Sequence, residues 1–207
     1  MGGGVGDRRL PPNVTGEEPS RRAPSDAVPG PAYPRSMAVD DELLNRVTWK
    51  IPNALALVGS AAGGERNGMT TSWITQLSMA PVLIGVGVDN HAVTHRLITD
   101  GGSFTVNLWN AEDTKVFVKF SKPATDDGST LNGRPVHSEA TGAPVFDEAI
   151  AWVDCEVRHS LDLGTHTLFV GEVVAASIVD DEARAASMAD TRMKYGGVPR
   201  KGHGGQG

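Results

Sequence analysis

Polar and apolar positions along the chain define a run of short extended segments separated by glycine- and proline-rich breaks. Asp40 and Asp41 precede an apolar-periodic stretch and predict a short capped helix through Trp49, closed by Pro52. Ala54–Ser60 is an apolar run that reads as a strand. Asn67-Gly68 is a turn signal. Met69–Ser78 alternates, with Met69, Thr71, Trp73, Thr75 and Leu77 on one face and Thr70, Ser72, Ile74, Gln76 and Ser78 on the other. It reads as one ten-residue strand, followed after Pro81 by an antiparallel partner, Val82–Val88.

A helix over Ala92–Thr99, ended by Gly101-Gly102, and a strand over Phe104–Trp109 come next. Asp113–Phe120 predicts a helix capped by Asp113, and residues 121–148 are loop-rich. Ala149–Ser160 and His166–Ile178 are two long strands joined by a hairpin loop at Leu161–Thr165. A last short helix is expected over Asp180–Met188. Many strands with only two or three short helices predict a mainly β fold, a barrel or closed sheet.

Composition separates the ends from this domain. Residues 1–36 hold seven of the 13 prolines and almost no large apolar side chains, so they predict a disordered tail. The folded domain is expected over 37–200, with a loose Gly-rich end at 201–207. A net charge of −6 argues against a nucleic-acid partner. No apolar run is long enough for a transmembrane helix, and the start lacks the apolar stretch of a signal peptide. The single cysteine, Cys155, can form no internal disulfide and suits a reducing, cytoplasmic setting.

The chain has no GxSxG, HExxH or GxxxxGK[ST] pattern. Its glycine runs at 2–4 and 63–64 do not open the strand–loop–helix of a dinucleotide fold. Its unusual feature is the crowding of Thr70, Thr71, Ser72, Thr75, Gln76 and Ser78 onto one strand. Such side chains suit either an exposed edge or a polar wall for a ligand rich in carbonyls, ring nitrogens and phosphate oxygens, such as FMN, with Trp73 and Ile74 giving apolar contact. Asp89-Asn90-His91 leads into Thr94-His95 at a helix start, which serves as a cap or as a phosphate site. His166 opens a strand after a glycine and is either structural or catalytic.

The stretches NGMTTSWITQLSMAPVLIGVGVD (67–89), THRLITDGGSFTVNLW (94–109), TGAPVFDEAIAWVDCEV (141–157) and GTHTLFVGEVV (164–174) resemble the flavin reductase-like family in order and spacing. The likeness spans roughly residues 50–178. It implies a homodimer of six-stranded antiparallel Greek-key split barrels with FMN, or alternatively FAD, near the subunit interface. It implies flavin contacts from Thr70, Thr71, Ser72, Trp73, Gln76 and Ser78, and phosphate contacts near Asn90, Thr94 and His95. It further implies that His166 lies beside flavin and nicotinamide, with NADH or NADPH as hydride donor and a partner monooxygenase as one outlet for reduced flavin. Two departures stand out. Gly164-Thr165-His166 replaces the family's Gly-Asp-His, and Met193-Lys194-Tyr195-Gly196-Gly197 replaces a C-terminal Tyr-x-Gly-x-Tyr pattern. The rival readings are an FMN-retaining, flavoredoxin-like electron carrier and a non-catalytic module for flavin or heme.

Overall fold

The computed structural model describes residues 39–198. The expected loose ends, 1–36 and 201–207, lie outside the described residues. Helix α1 (Asp41–Thr48) is capped as expected: the Asp40 carboxylate accepts from the Leu43 amide at 2.9 Å. Then follow β1 (Ala56–Ala62), β2 (Glu65–Thr71), β3 (Ile74–Met79), β4 (Val82–Asp89), α2 (Val93–Gly101), β5 (Ser103–Leu108) and α3 (Lys115–Lys119). Short strands β6 (Thr130–Leu131), β7 (Arg134–Ser138) and β8 (Pro144–Phe146) precede the long hairpin of β9 (Ala151–Asp162) and β10 (His166–Ile178).

All pairings are antiparallel. Seven strands form one sheet in the order β2-β1-β5-β9-β10-β4-β3, and β6-β7-β8 form a second. The mainly β expectation holds, but the sheet is open and has seven strands rather than six. The polar segment Met69–Ser78 is not one strand: it breaks at Ser72-Trp73, giving β2 at one sheet edge and β3 at the other. From Thr71 to Ile74 the chain spans at most roughly 11 Å, so the sheet must curl until its edges approach at this corner. The edges do not pair there. The Thr70 amide donates to the Phe120 carbonyl at 2.9 Å, and the Gly87 amide donates to the Trp73 carbonyl at 2.9 Å.

Three other expectations change. The turn lies at Gly63-Gly64, where φ is +58° and +86°, and not at Asn67-Gly68. Asn67-Gly68 is buried within β2 because Gly68 lets aromatic rings approach: a Cβ there would stand 2.8 Å from Phe146 Cζ. Asp113 does not cap α3. Its carboxylate accepts instead from the Trp109 indole at 3.3 Å and from Arg134 at 3.4 Å. Residues 180–187 form no helix. Their backbone bridges Asn110 to Ala185 and Ala54 to Ser187 before a 3-10 turn at Met188–Asp190.

Two buried clusters support the sheet. Ala56, Val58, Val86, Val88, Ile98, Val106 and Phe169 pack with Phe104 and Cys155 beneath α2. Leu55, Leu57, Trp109, Phe117, Phe120 and Phe146 form an aromatic cluster under α3. Burial, reinforced by the neighbouring Asp154, pushes the Cys155 thiol up to about 12, so it is a packing residue and not a reactive thiolate.

Candidate functional site

A cavity of about 460 Å³ opens where the β2–β3 corner, the start of α2 and the C-terminal segment converge. Strand β2 and its exit supply Asn67, Met69, Thr70, Thr71 and Ser72. Strand β4 supplies Gly87 and Asp89, and the chain entering α2 supplies His91 through Thr94. Phe120 through Pro123, Leu55, Met188, Met193 and Tyr195 complete the wall.

The hydroxyls of this wall differ in what they have left to give. Thr70 Oγ1 donates to the Phe117 carbonyl at 2.7 Å, and Thr71 Oγ1 accepts from the Trp73 amide at 3.4 Å. Ser72 is only 3% exposed, and its Oγ has no hydrogen-bond partner among the described residues. A buried hydroxyl without a partner is costly, and native proteins keep few of them. Its presence beside a cavity points to a ligand that completes it.

The α2 end of the cavity suits an anion. Its N-cap, Ala92, makes no side-chain cap bond, so the Val93 and Thr94 amides keep their donors, while the His95 amide donates to the Ala92 carbonyl at 3.0 Å; the positive end of the helix dipole faces this region. Thr94 is buried here, held by the Asn67 side-chain amide at 2.8 Å, while Asn67 Oδ1 accepts from the Ala124 amide at 2.7 Å. Lys122 also lines the cavity.

Beside the Tyr195 wall, three rings meet. Trp73 lies 4.5 Å from the His166 ring and 5.2 Å from Tyr195, measured between centroids. His166 Nε2 is 2.8 Å from the Tyr195 hydroxyl, and Nδ1 is 2.9 Å from Thr165 Oγ1. Burial holds the imidazole below its ordinary pKa, with Asp89, its register partner on β4, opposing that shift. Burial, then Asp89, raises the Tyr195 phenol.

Thr70, Thr71, Ser72 and Thr94 therefore line the cavity. Trp73 packs behind the wall against Gly87 and Tyr195, and His166 meets the wall through Tyr195. Gln76, Ser78, Asn90 and His95 are not in the wall. Gln76 is exposed on edge strand β3 and donates to the Ser78 carbonyl at 3.0 Å. Asn90 donates to the Gly164 carbonyl at 3.1 Å and accepts from Thr167 Oγ1 at 2.9 Å, and Thr167 in turn accepts from His95 Nε2. That chain pins the β9–β10 hairpin to α2. Lys122 and Met188 carry no signal in the sequence, and Met193 and Tyr195 appear there only within the departure from the family's C-terminal pattern. The signal for Tyr195 is a tyrosine set before paired glycines near the end of the domain.

No group of three His, Cys, Asp or Glu side chains among the described residues is placed to hold a metal ion. No helix among them is long and apolar enough to cross a membrane.

Comparison with known proteins agrees with this geometry. The family model described as flavin reductase like domain matches residues 48–198. The ferric-chelate reductase (NAD(P)H) of Archaeoglobus fulgidus is 32% identical over 155 residues, covering 73% of this chain and 91% of that protein. The NADH-dependent FAD reductase of Streptomyces globisporus is 31% identical over 138 residues, covering 65% and 74%. Among solved structures, the NADH:FAD oxidoreductase of Streptomyces globisporus in complex with NAD and FAD fragments superposes with a TM-score of 0.63 at 27% identity, covering 72% of this chain and 90% of that one. The styrene monooxygenase flavin reductase of Pseudomonas putida S12 gives 0.57 at 28% identity, covering 66% and 87%. With the match running through nearly all of the described residues, this chain belongs to the flavin reductase-like domain family.

Proposed function

We propose that this protein is an NAD(P)H-dependent flavin reductase that binds flavin, FMN by preference, in the cavity between β2, α2 and the C-terminal segment. The observation that carries this reading is the unpartnered, buried Ser72 hydroxyl on a cavity wall. A flavin ring edge offers the acceptors that Ser72 lacks, and its phosphate matches the free amides at the start of α2 and Lys122. Gly87 leaves the Trp73 side open: a Cβ there would stand 3.1 Å from the indole. Flavin, when bound, supplies the acceptor for a hydride from the nicotinamide. The protein's own residues orient the two rings, exclude water with Met69, Met188 and Met193, and present hydrogen-bond donors to developing charge.

Tyr195 and, through it, His166 stand at the side of that cavity where the nicotinamide approaches. The curled sheet, whose edges meet at Ser72-Trp73, supports the family's split barrel with Greek-key connections. The exposed apolar residues of α1 and its exit, Leu43, Val47, Trp49 and Ile51, support a homodimer. The single buried cysteine supports a cytoplasmic location. A monooxygenase partner is supported by the named role of the Pseudomonas putida relative.

The test is a visible spectrum of the purified protein titrated with FMN and FAD, followed by NADH or NADPH without oxygen. Saturable binding and rapid bleaching of the flavin band are expected. Failure to bind either flavin overturns the reading. Tight binding with negligible bleaching by both nicotinamides would favour the flavin-retaining carrier instead.

A further inference from the structure

The His166 ring has a partner on each nitrogen, and both are hydroxyls. In a neutral imidazole one nitrogen donates and the other accepts, so the partners' relative donor strength sets the tautomer. A phenol, with a pKa of about 10, is a far better donor than an aliphatic alcohol. We propose that Tyr195 is a positioning residue: its hydroxyl donates to His166 Nε2, fixing the ring as the Nδ1–H tautomer with Thr165 Oγ1 accepting, and so sets the ring's face beside the Tyr195 wall.

The fold places Tyr195 deliberately. Gly196 and Gly197 adopt φ of +95° and +90°, turning the chain back at the indole of Trp73. A Cβ on Gly196 would stand 3.4 Å from that indole. The Trp49 indole donates to the Gly196 carbonyl at 3.2 Å, and the Val198 amide donates to Asn45 Oδ1 at 2.9 Å. Lys194 lies over the Trp49 ring at 4.7 Å. Helix α1 thus anchors the segment, and Tyr195, with Met193, lines the cavity. Among the described residues no acid hydrogen-bonds the histidine. The charged group facing it is Asp89 from β4; Thr165 and Trp73 carry none, and Tyr195 is a neutral phenol.

This arrangement has a directional consequence. A donor on Nε2 opposes protonation at that atom, whereas an acceptor at Nδ1 serves both forms of the ring and the cation more strongly. Removing the two hydroxyls should therefore move the His166 titration in opposite directions.

The experiment uses the full chain without flavin, with ring nitrogens labelled and His166 assigned by its loss in His166→Asn. At alkaline pH the nitrogen shifts should show the Nδ1–H form. In Tyr195→Phe the midpoint should rise by about half to one pH unit, the equivalent of one hydrogen bond, and in Thr165→Val it should not rise. An Nε2–H ring, an unmoved midpoint in Tyr195→Phe, or a rise in Thr165→Val would each overturn the proposal. The catalytic consequence rests on the flavin reductase reading. Tyr195→Phe should keep flavin affinity within about twofold, slow bleaching several-fold, and displace its pH profile by the shift seen by NMR. An unchanged rate across pH would make the pair a structural contact and overturn the positioning role. If the unaltered protein does not bleach at all, the flavin reductase reading fails while the nitrogen shifts still report the tautomer.

Discussion

Strands β2 and β3 are consecutive, similarly rich in hydroxyls and amides, and both lie at an edge of the same sheet, yet they meet opposite fates. In β2 the edge is covered. Thr70 is tied through its amide to Phe120 and through its hydroxyl to Phe117, and Asn67 clamps Thr94 and Ala124. In β3, Thr75, Gln76 and Leu77 are exposed, Met79 is 87% exposed, and the Gln76 amide is satisfied by the backbone two residues away. Polar side chains on a strand do not by themselves make a site. What makes one is a second element that encloses them and leaves a group unsatisfied, and of these two strands β2 leads into such a group, Ser72 at its exit.

The largest expected difference comes from adding one methyl group on each side of the corner. Gly68→Ala forces a Cβ to 2.8 Å from Phe146 and 3.1 Å from Phe120, both fully buried. Overpacking of that kind costs about 1–3 kcal/mol. Gly85→Ala, on the strand that pairs with β3, meets the end of Leu77 at 2.7 Å. Leu77 is 47% exposed and can swing outward, so the cost should stay below about 0.5 kcal/mol. Denaturant unfolding of both variants measures this, and equal losses would dissolve the contrast.

The next difference concerns the ligand. Ser72→Ala should lower flavin affinity about tenfold, close to 1.4 kcal/mol, because the donor is lost. The same change should stabilise the flavin-free protein by up to about 1 kcal/mol, because an unpaired buried hydroxyl disappears with it. Gln76→Ala and Ser78→Ala should leave affinity within about twofold. Fluorescence titration and melting of the flavin-free forms check both signs. A flavin-free Ser72→Ala that melts lower would mean that the hydroxyl already has a partner.

This contrast also shows where reading the sequence stops. Strand alternation placed Thr70 and Thr71 correctly in a strand but carried that strand on through Ser72, which lies outside it, and the glycines and prolines located most element ends. Alternation could not show that the chain leaves the sheet at Ser72-Trp73, because that break is imposed by curling of the whole sheet and not by any turn residue. The Asn67-Gly68 pair misled for a related reason: the glycine answers to Phe120 and Phe146, which are distant in sequence. Asn90 and His95 sit at the helix start that was expected, but their side chains are spent on Thr167 and Gly164 of a hairpin some 70 residues on. Tyr195 becomes legible only once α1 and the C-terminal segment are seen to meet.

The smallest effect concerns Trp73, the residue at the boundary of the two halves, through the histidine packed on it. Burial holds His166 below the ordinary value of about 6.5, and Asp89 only partly opposes this. In the unfolded chain the ring takes its proton near that ordinary value; in the folded protein it does so only at lower pH. Between those two points the unfolded state binds more protons, so stability falls as pH drops through that window. Above it both states are neutral, and below it both are charged, so the contribution is flat on either side. His166→Asn removes the titration. Relative to the unaltered protein, the variant should therefore lose less melting temperature when pH falls from neutral to mildly acidic. No such difference is expected for Gln76→Ala, whose side chain lies away from the corner. Parallel melting curves for the unaltered protein and His166→Asn would show that the ring is as free to protonate in the fold as in water, and that packing on Trp73 does not bury it.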